Sequence, residues 1–437
     1  MNSIQLISIK SMQFFSLLVL QLGSFSHFLQ AQIPVGVQKE EMAFYNARIH
    51  TGKGAVINNG VLIFNNGKIS YVGDDNTKVK SVKNSIDLQS QEIYPGFIAA
   101  GTTLGLEEIS AVKATQDSRE LGNLNPNLRA VIAYNTDSKV IPTVRSNGVL
   151  LAQIAPTGGV ISGQSSIVQL DAWNWEDAAY SEDEGVWLNW PNNYSNGGWW
   201  GEPQKSTANE NYIKEVESLN NYFSRAKAYS KSSGGEINLA FESMKGLWKN
   251  QKKLFIRVNN AKAIIQAILF CEQFEIKPVI VGGDDAWKIT DFLKARNISI
   301  ILGRIHSLPT REDENVFQPY LNPGILKKAG ILFGISDEGF WQQRNLAFQA
   351  GQAVAGGLSH EDAIASVTSS VAEILGIAHR TGSLEVGKDA TFFISKGDAL
   401  DIKSQDINMA FILGRQIDLD NLHKQLYKKY SEKYSRQ

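Results

Sequence analysis

The sequence predicts an α/β fold: apolar strands alternating with helices through the middle of the chain, clasped by a small antiparallel sheet made from both ends. Three observations carry this. From Ile93 to about Arg380, short near-continuous apolar runs are each followed by a helical pattern, which is how strands covered on both faces read. Alternating apolar and polar residues fill 42–87. A second alternating stretch returns at 382–414.

In chain order, Lys10 precedes the apolar run Phe14–Leu20, too short for a span of about 20 residues. Leu29-Gln30-Ala31 then offers a small residue for cleavage, so residues 1–31 are expected to be a signal peptide and the mature protein secreted or periplasmic. No other stretch is apolar enough to span a bilayer. The runs Ala43–Ile49, Gly60–Phe64 and Lys68–Gly73 are separated by Asn58-Asn59-Gly60 and Asn65-Asn66-Gly67, turn signals that place strands antiparallel. Three or four short strands bury too little to stand alone. The later set at Gly382–Ile394 and Met409–Gly414 is the natural partner for them.

In the middle, Leu254–Val258 leads into the helical pattern Ala261–Gln273, and Pro278–Val281 into Ala286–Ala295. Ile298–Leu302 and Ile331–Ile335 continue the series. About eight such units make a barrel with its site at the carboxyl ends of the strands. Periodicity leaves a doubly wound open sheet as the alternative. Trp173–Pro203 breaks the rhythm with Trp173, Trp175, Trp187, Trp190, Trp199 and Trp200, and is expected to be an insertion or lid. Residues 416–437 read as a charged terminal helix.

Net charge is −1, without a basic stripe, which argues against nucleic acid as a partner. The single cysteine, Cys271, cannot form an internal disulfide and sits in an apolar pattern.

Ile86-Asp87-Leu88 followed by Ile93-Tyr94-Pro95-Gly96-Phe97-Ile98, and the later Gly382-Ser383-Leu384-Glu385-Val386-Gly387-Lys388-Asp389-Ala390, resemble the entry and the C-terminal signature of the amidohydrolase superfamily. Arg344-Asn345-Leu346, Ala353, Gly357-Leu358-Ser359 and Thr368 are similar to its segment after the last barrel strand. The nearest likeness is to imidazolonepropionase-like exported amidohydrolases. The resemblance implies a distorted (β/α)8 TIM barrel with a composite β-sandwich: residues 41–92 and 381–415 in the sandwich, 93–380 in the barrel, and 173–203 as the tryptophan-rich insertion.

The resemblance also implies chemistry. Family members hydrolyse carbon–nitrogen bonds with water activated on one or two divalent metals such as zinc. Their ligands are a His-X-His pair after Pro-Gly-Phe-Ile, a histidine on each of two later strands, and an aspartate after the last. Here Gly101 and Thr103 stand at the paired positions, Arg257 and Gly282 at the next two, and only Asp337 matches. Beyond the leader the histidines are His50, His306, His360, His379 and His423, of which His306 alone follows a predicted barrel strand. A rebuilt site would draw on Asp337, His306 and Glu107, Glu108 or Glu338. Alternatively Arg257, always charged and fork-shaped, pairs with Asp337 in place of the lost cation or binds a ligand carboxylate.

The Pro156–Gln164 loop is glycine-rich but lacks the lysine of a phosphate loop, and reads as structural. Trp199 and Trp200 are candidates for stacking on a ligand or partner. Two readings of function follow. One is a hydrolase of non-peptide carbon–nitrogen bonds with an altered or lost metal site. The other is a non-catalytic binder of small molecules, or a pseudoenzyme subunit pairing with an intact paralogue or with its own copies.

Overall fold

The computed structural model describes residues 33–197, 205–232 and 236–435. The expected leader, Trp199 and Trp200 lie outside these.

Both ends of the chain do build one sheet. Strands β1 (Met42–His50), β2 (Val56–Asn65), β3 (Lys68–Gly73), β4 (Asn84–Asp87) and β5 (Glu92–Pro95) join β16 (Phe392–Ser395), β17 (Ile407–Ile412) and β18 (Arg415–Gln416) in the order β18-β17-β16-β5-β1-β2-β3, with β4 beside β1. The seam is the antiparallel β5–β16 pair, with Pro95 opposite Phe392 and Ile93 opposite Ile394. Phe44, Phe64, Phe392 and Phe411, all fully buried, pack their rings together on one face. Aromatic pairs of this kind add about 1 kcal/mol each beyond the area they bury. Asp389 of the C-terminal signature explains that motif locally. Its buried carboxylate takes Lys68 from the β2–β3 hairpin, the hydroxyl of Tyr180 and the guanidinium of Arg380.

The central strands form a nearly closed eight-stranded barrel: β6 (Phe97–Thr102), β7 (Val149–Ile154), β8 (Ile161–Gln169), β9 (Ala179–Asn189), β12 (Lys253–Val258), β13 (Pro278–Gly282), β14 (Ser299–Leu302) and β15 (Phe333–Ile335). The open-sheet alternative is thereby excluded. The closure between β15 and β6 uses side chains, with Ser336 Oγ donating to the Ala100 carbonyl and Thr102 Oγ1 to that of Gly339. The distortion lies at β8, which runs antiparallel to both β7 and β9, so β7-β8-β9 is a meander without crossover helices. The remaining strands are parallel. Ile98, Leu151, Ile167, Trp187, Phe255, Val279 and Ile301 share one buried cluster, one residue from each of seven strands. Leu254 and Ile256, on the alternate face of β12, instead share a cluster with Ala263, Ile264 and Ala267 of the following helix, Ala261–Gln273. Cys271, on that helix, is free and fully buried.

The tryptophan-rich segment departs from expectation. Residues 179–189 are a barrel strand, and among the described residues only β10 (Tyr194–Gly197) with β11 (Lys205–Ala208) makes an extra hairpin. The run Ser181-Glu182-Asp183-Glu184 disguises this strand. Its acids are accommodated individually: Glu182 and Asp183 pair with Arg129, and Glu184 is buried. Trp187 and Trp190 are core residues, whereas Trp173 is exposed.

Candidate functional site at the carboxyl ends of the strands

Gly101, next to the last residue of β6, has φ +64°, a left-handed conformation that disfavours other residues. A Cβ built there would stand 2.7 Å from the indole of Trp187, so the ring occupies the space a side chain at 101 would need. Trp187, on β9, is fully buried and stacks on Phe255 of β12 at 4.9 Å between centroids. Two residues further along β12, Arg257 lays its guanidinium 4.3 Å above the same indole. The alternation of side chains along a strand brings Phe255 and Arg257 to one face. Trp187 is therefore in contact with both a phenyl ring and a cation from β12.

Arg257 donates to Asn189 Oδ1 at 3.2 Å and to the Pro156 carbonyl at 3.1 Å. Asn189 in turn donates to the Gly159 carbonyl at 2.7 Å and to Ser162 Oγ at 3.0 Å. These bonds fasten the glycine-rich 156–164 loop over the strand ends, the structural role its composition suggests. Arg257 forms no ion pair among the described residues. Burial pulls its pKa down to about 10, opposed by the nearby charge of Glu338, so it remains a cation at neutral pH. Asp284, just beyond β13, is raised to about 6 by burial and then by Glu338, Asp285 and Glu314.

Asp337 follows β15 and is 1% exposed. It does not meet Arg257. Its counter-ion is Arg304, whose Nε donates to Oδ1 at 3.1 Å, while Gln349 Nε2 donates to Oδ2 at 3.0 Å. Burial raises the Asp337 pKa against the lowering effect of Arg304. The expected Arg257–Asp337 pair is thus replaced by Arg304–Asp337, an arginine that the strand pattern gave no reason to single out. His306 is tied to the same group through its backbone: Gln349 Oε1 accepts from the amides of Ile305 at 2.9 Å and His306 at 2.8 Å. Its imidazole turns away, with Nδ1 3.0 Å from the Tyr320 hydroxyl. Glu107 is held by Ser118, and Glu338 is exposed.

The residues at the strand ends do not fit a metal. The positions that the resemblance assigns to the paired histidines are Gly101, roofed by Trp187, and Thr103. Position 257 is a cation, and a Cβ at Gly282 would overlap Asn259 Oδ1. A dication beside Arg257 meets repulsion rather than a donor. Among the described residues the one group of three converging metal-type donors lies outside this set, at His50, His360 and Glu361.

Residues 335–418 match the family model described as "Amidohydrolase family". Among solved structures, the chain is similar to an amidohydrolase from Thermotoga maritima at 21% identity and TM-score 0.74, covering 86% of this chain and 99% of that one. It is similar to molinate hydrolase at 12% identity and TM-score 0.56, covering 88% and 96%. A putative prolidase from Bifidobacterium longum aligns at 15% identity and TM-score 0.52, covering 87% and 95%. No curated protein matches. At these identities the structural likeness speaks for the fold.

Proposed function

We propose that this chain, whose residues 335–418 match the amidohydrolase family model, binds a small carboxylate-bearing molecule at the barrel mouth rather than hydrolysing one with a strand-end metal. One observation carries the reading: the Trp187–Arg257 stack stands among the positions where the family places its ligands. The chain's solved neighbours include molinate hydrolase and a putative prolidase. Retaining their fold while losing their ligands leaves the mouth available for recognition. Arg257 is partly exposed and has no carboxylate partner among the described residues, and its fork suits a carboxylate. We place the protein outside the cytoplasm, on the strength of the apolar run near its N-terminus.

The test pairs binding with turnover. The purified chain, with zinc or manganese added, is offered an Xaa-Pro dipeptide, and separately titrated with N-acetylproline as an amide carrying a carboxylate. Saturable binding that falls at least tenfold in Arg257→Gln, without turnover, is the expected result. Turnover abolished by Asp337→Asn would make the protein a metallohydrolase and overturn the reading. So would binding that Arg257→Gln leaves unchanged.

A further inference from the structure

The end of β1, the start of helix His360–Ser366 and the loop at Asp398 meet in a cluster of two imidazoles and three carboxylates. His50, fully buried, has Nε2 3.2 Å from Glu92 Oε2 and Nδ1 2.7 Å from Glu361 Oε1. His360 repeats the pattern, with Nε2 3.0 Å from both oxygens of Asp398 and Nδ1 3.4 Å from the same Glu361 oxygen. Each histidine is therefore backed by its own carboxylate on one nitrogen and turns the other toward Glu361. The second Glu361 oxygen is buried without a hydrogen-bond partner among the described residues.

That is the arrangement of a metal site with its outer shell: carboxylates accept the Nε2–H of ligating histidines, fix the tautomer and leave the opposite lone pair facing the ion. We propose that His50 Nδ1, His360 Nδ1 and Glu361 hold a divalent metal ion of the zinc class, with Glu92 and Asp398 orienting the two histidines. The three donor atoms lie within 4.8 Å of one another. Tetrahedral zinc, at about 2.1 Å from each ligand, separates donors by roughly 3.4 Å, so the rings shift only slightly to admit it. With neutral imidazoles the cluster carries three negative charges, two of which a dication offsets. His50 stacks on Tyr94 at 4.4 Å, and the Tyr94 hydroxyl donates to Glu92, so the backing carboxylate is itself held in place. His360 and Asp398 also line a cleft of ≈ 420 Å³ with His306 and Gln349, which gives an ion a way in. The ion would pin the terminal sheet to the barrel's C-terminal helices. This site shares no residue with the strand-end reading.

The purified full chain is stripped with dipicolinate, reloaded with zinc, desalted and measured by mass spectrometry of the metal. One zinc per chain is expected, unchanged in Asp337→Asn and below about a tenth in His360→Gln and in Glu361→Gln. Asp398→Asn should weaken affinity about 10- to 100-fold. Cobalt-loaded wild-type protein should show visible d–d absorption, a readout that needs no variant to fold. Failure of the wild type to retain zinc, or full retention by a His360→Gln/Glu361→Gln double variant, overturns the proposal. Zinc lost only in Asp337→Asn overturns both this site and the metal-free barrel mouth, whereas zinc lost only in the His360 and Glu361 variants leaves both standing.

Discussion

The guanidinium of Arg257 lies 4.3 Å from the centroid of Trp187, and the same indole stacks on Phe255 at 4.9 Å. The cation is thereby desolvated against a ring face instead of a carboxylate, a geometry worth about 1–2 kcal/mol when buried. A double-mutant cycle between Trp187→Leu and Arg257→Gln, read from urea denaturation, is expected to give a coupling of about 1 kcal/mol. Trp187→Leu alone should cost about 3 kcal/mol through the cavity it opens. A coupling near zero would mean that the two side chains are neighbours without being partners.

Glu184 supplies a pH dependence. It is buried on β9, accepting from Ser165 Oγ at 2.6 Å and Gln153 Nε2 at 2.8 Å, with its second oxygen unpartnered among the described residues. Burial pushes its pKa up to about 7 from an ordinary 4.5, more than those bonds pull it down. Below pH 4.5 both folded and unfolded chains carry the proton, and the group costs nothing. Between 4.5 and 7 the unfolded chain releases it first, so stability falls as pH rises and levels off above 7, by about 3 kcal/mol. Glu184→Gln should therefore raise the urea midpoint at pH 8 and leave it unchanged at pH 4.5. An equal gain at both pH values would remove ionisation as the cause.

Much of the architecture is legible in the residues because periodicity is a local signal. Alternation at 42–87 and 382–414 predicts the shared sheet, and apolar runs such as Leu254–Val258 predict the barrel strands. β9 escapes because Glu182, Asp183 and Glu184 interrupt the apolar pattern, and the partners that accommodate them, Arg129 and the Ser165–Gln153 pair, are remote in sequence. The positions that the resemblance assigns to metal ligands are readable one at a time against the family pattern. What fills them is not, since nothing in Trp187 alone says that its ring will roof Gly101. The same distance hides the histidine cluster. His50 and Glu361 are separated by 311 positions, and only the seam between the terminal sheet and the barrel brings them together.

A buried charge network binds the barrel to the C-terminal strands. Asp171, beyond β8, pairs with Arg145 at 2.9 Å, both almost wholly buried, and accepts from the Val35 amide at 3.2 Å. Arg415 of β18 approaches the same carboxylate at 3.4 Å. Removing one member of a buried pair strands the other, at about 3–5 kcal/mol. Asp171→Ala is expected to lose that much, and an Arg145→Met/Asp171→Leu double variant considerably less. Equal losses in the two would place the cost in packing rather than in the unpaired arginine.

Gln349 organises the strand-end carboxylate, and it was not among the residues suggested by the sequence. From helix Leu346–Ala355 it accepts from the amides of Ile305 and His306 and donates to Asp337, all near 3 Å. It is 6% exposed, so little water replaces these bonds when the side chain is removed. Gln349→Ala leaves two amides and a carboxylate oxygen unsatisfied, and about 3 kcal/mol of stability should go with them. Asp337→Asn behaves differently. Burial already raises the pKa of that carboxyl, so a neutral isostere sheds a desolvation penalty while giving up the half-exposed Arg304. Its expected change is under about 1 kcal/mol in either direction. Thermal melts of the two variants should therefore separate clearly, with Gln349→Ala the lower. The reverse order would mean that the Asp337 charge, rather than the glutamine that positions it, holds this end of the barrel together.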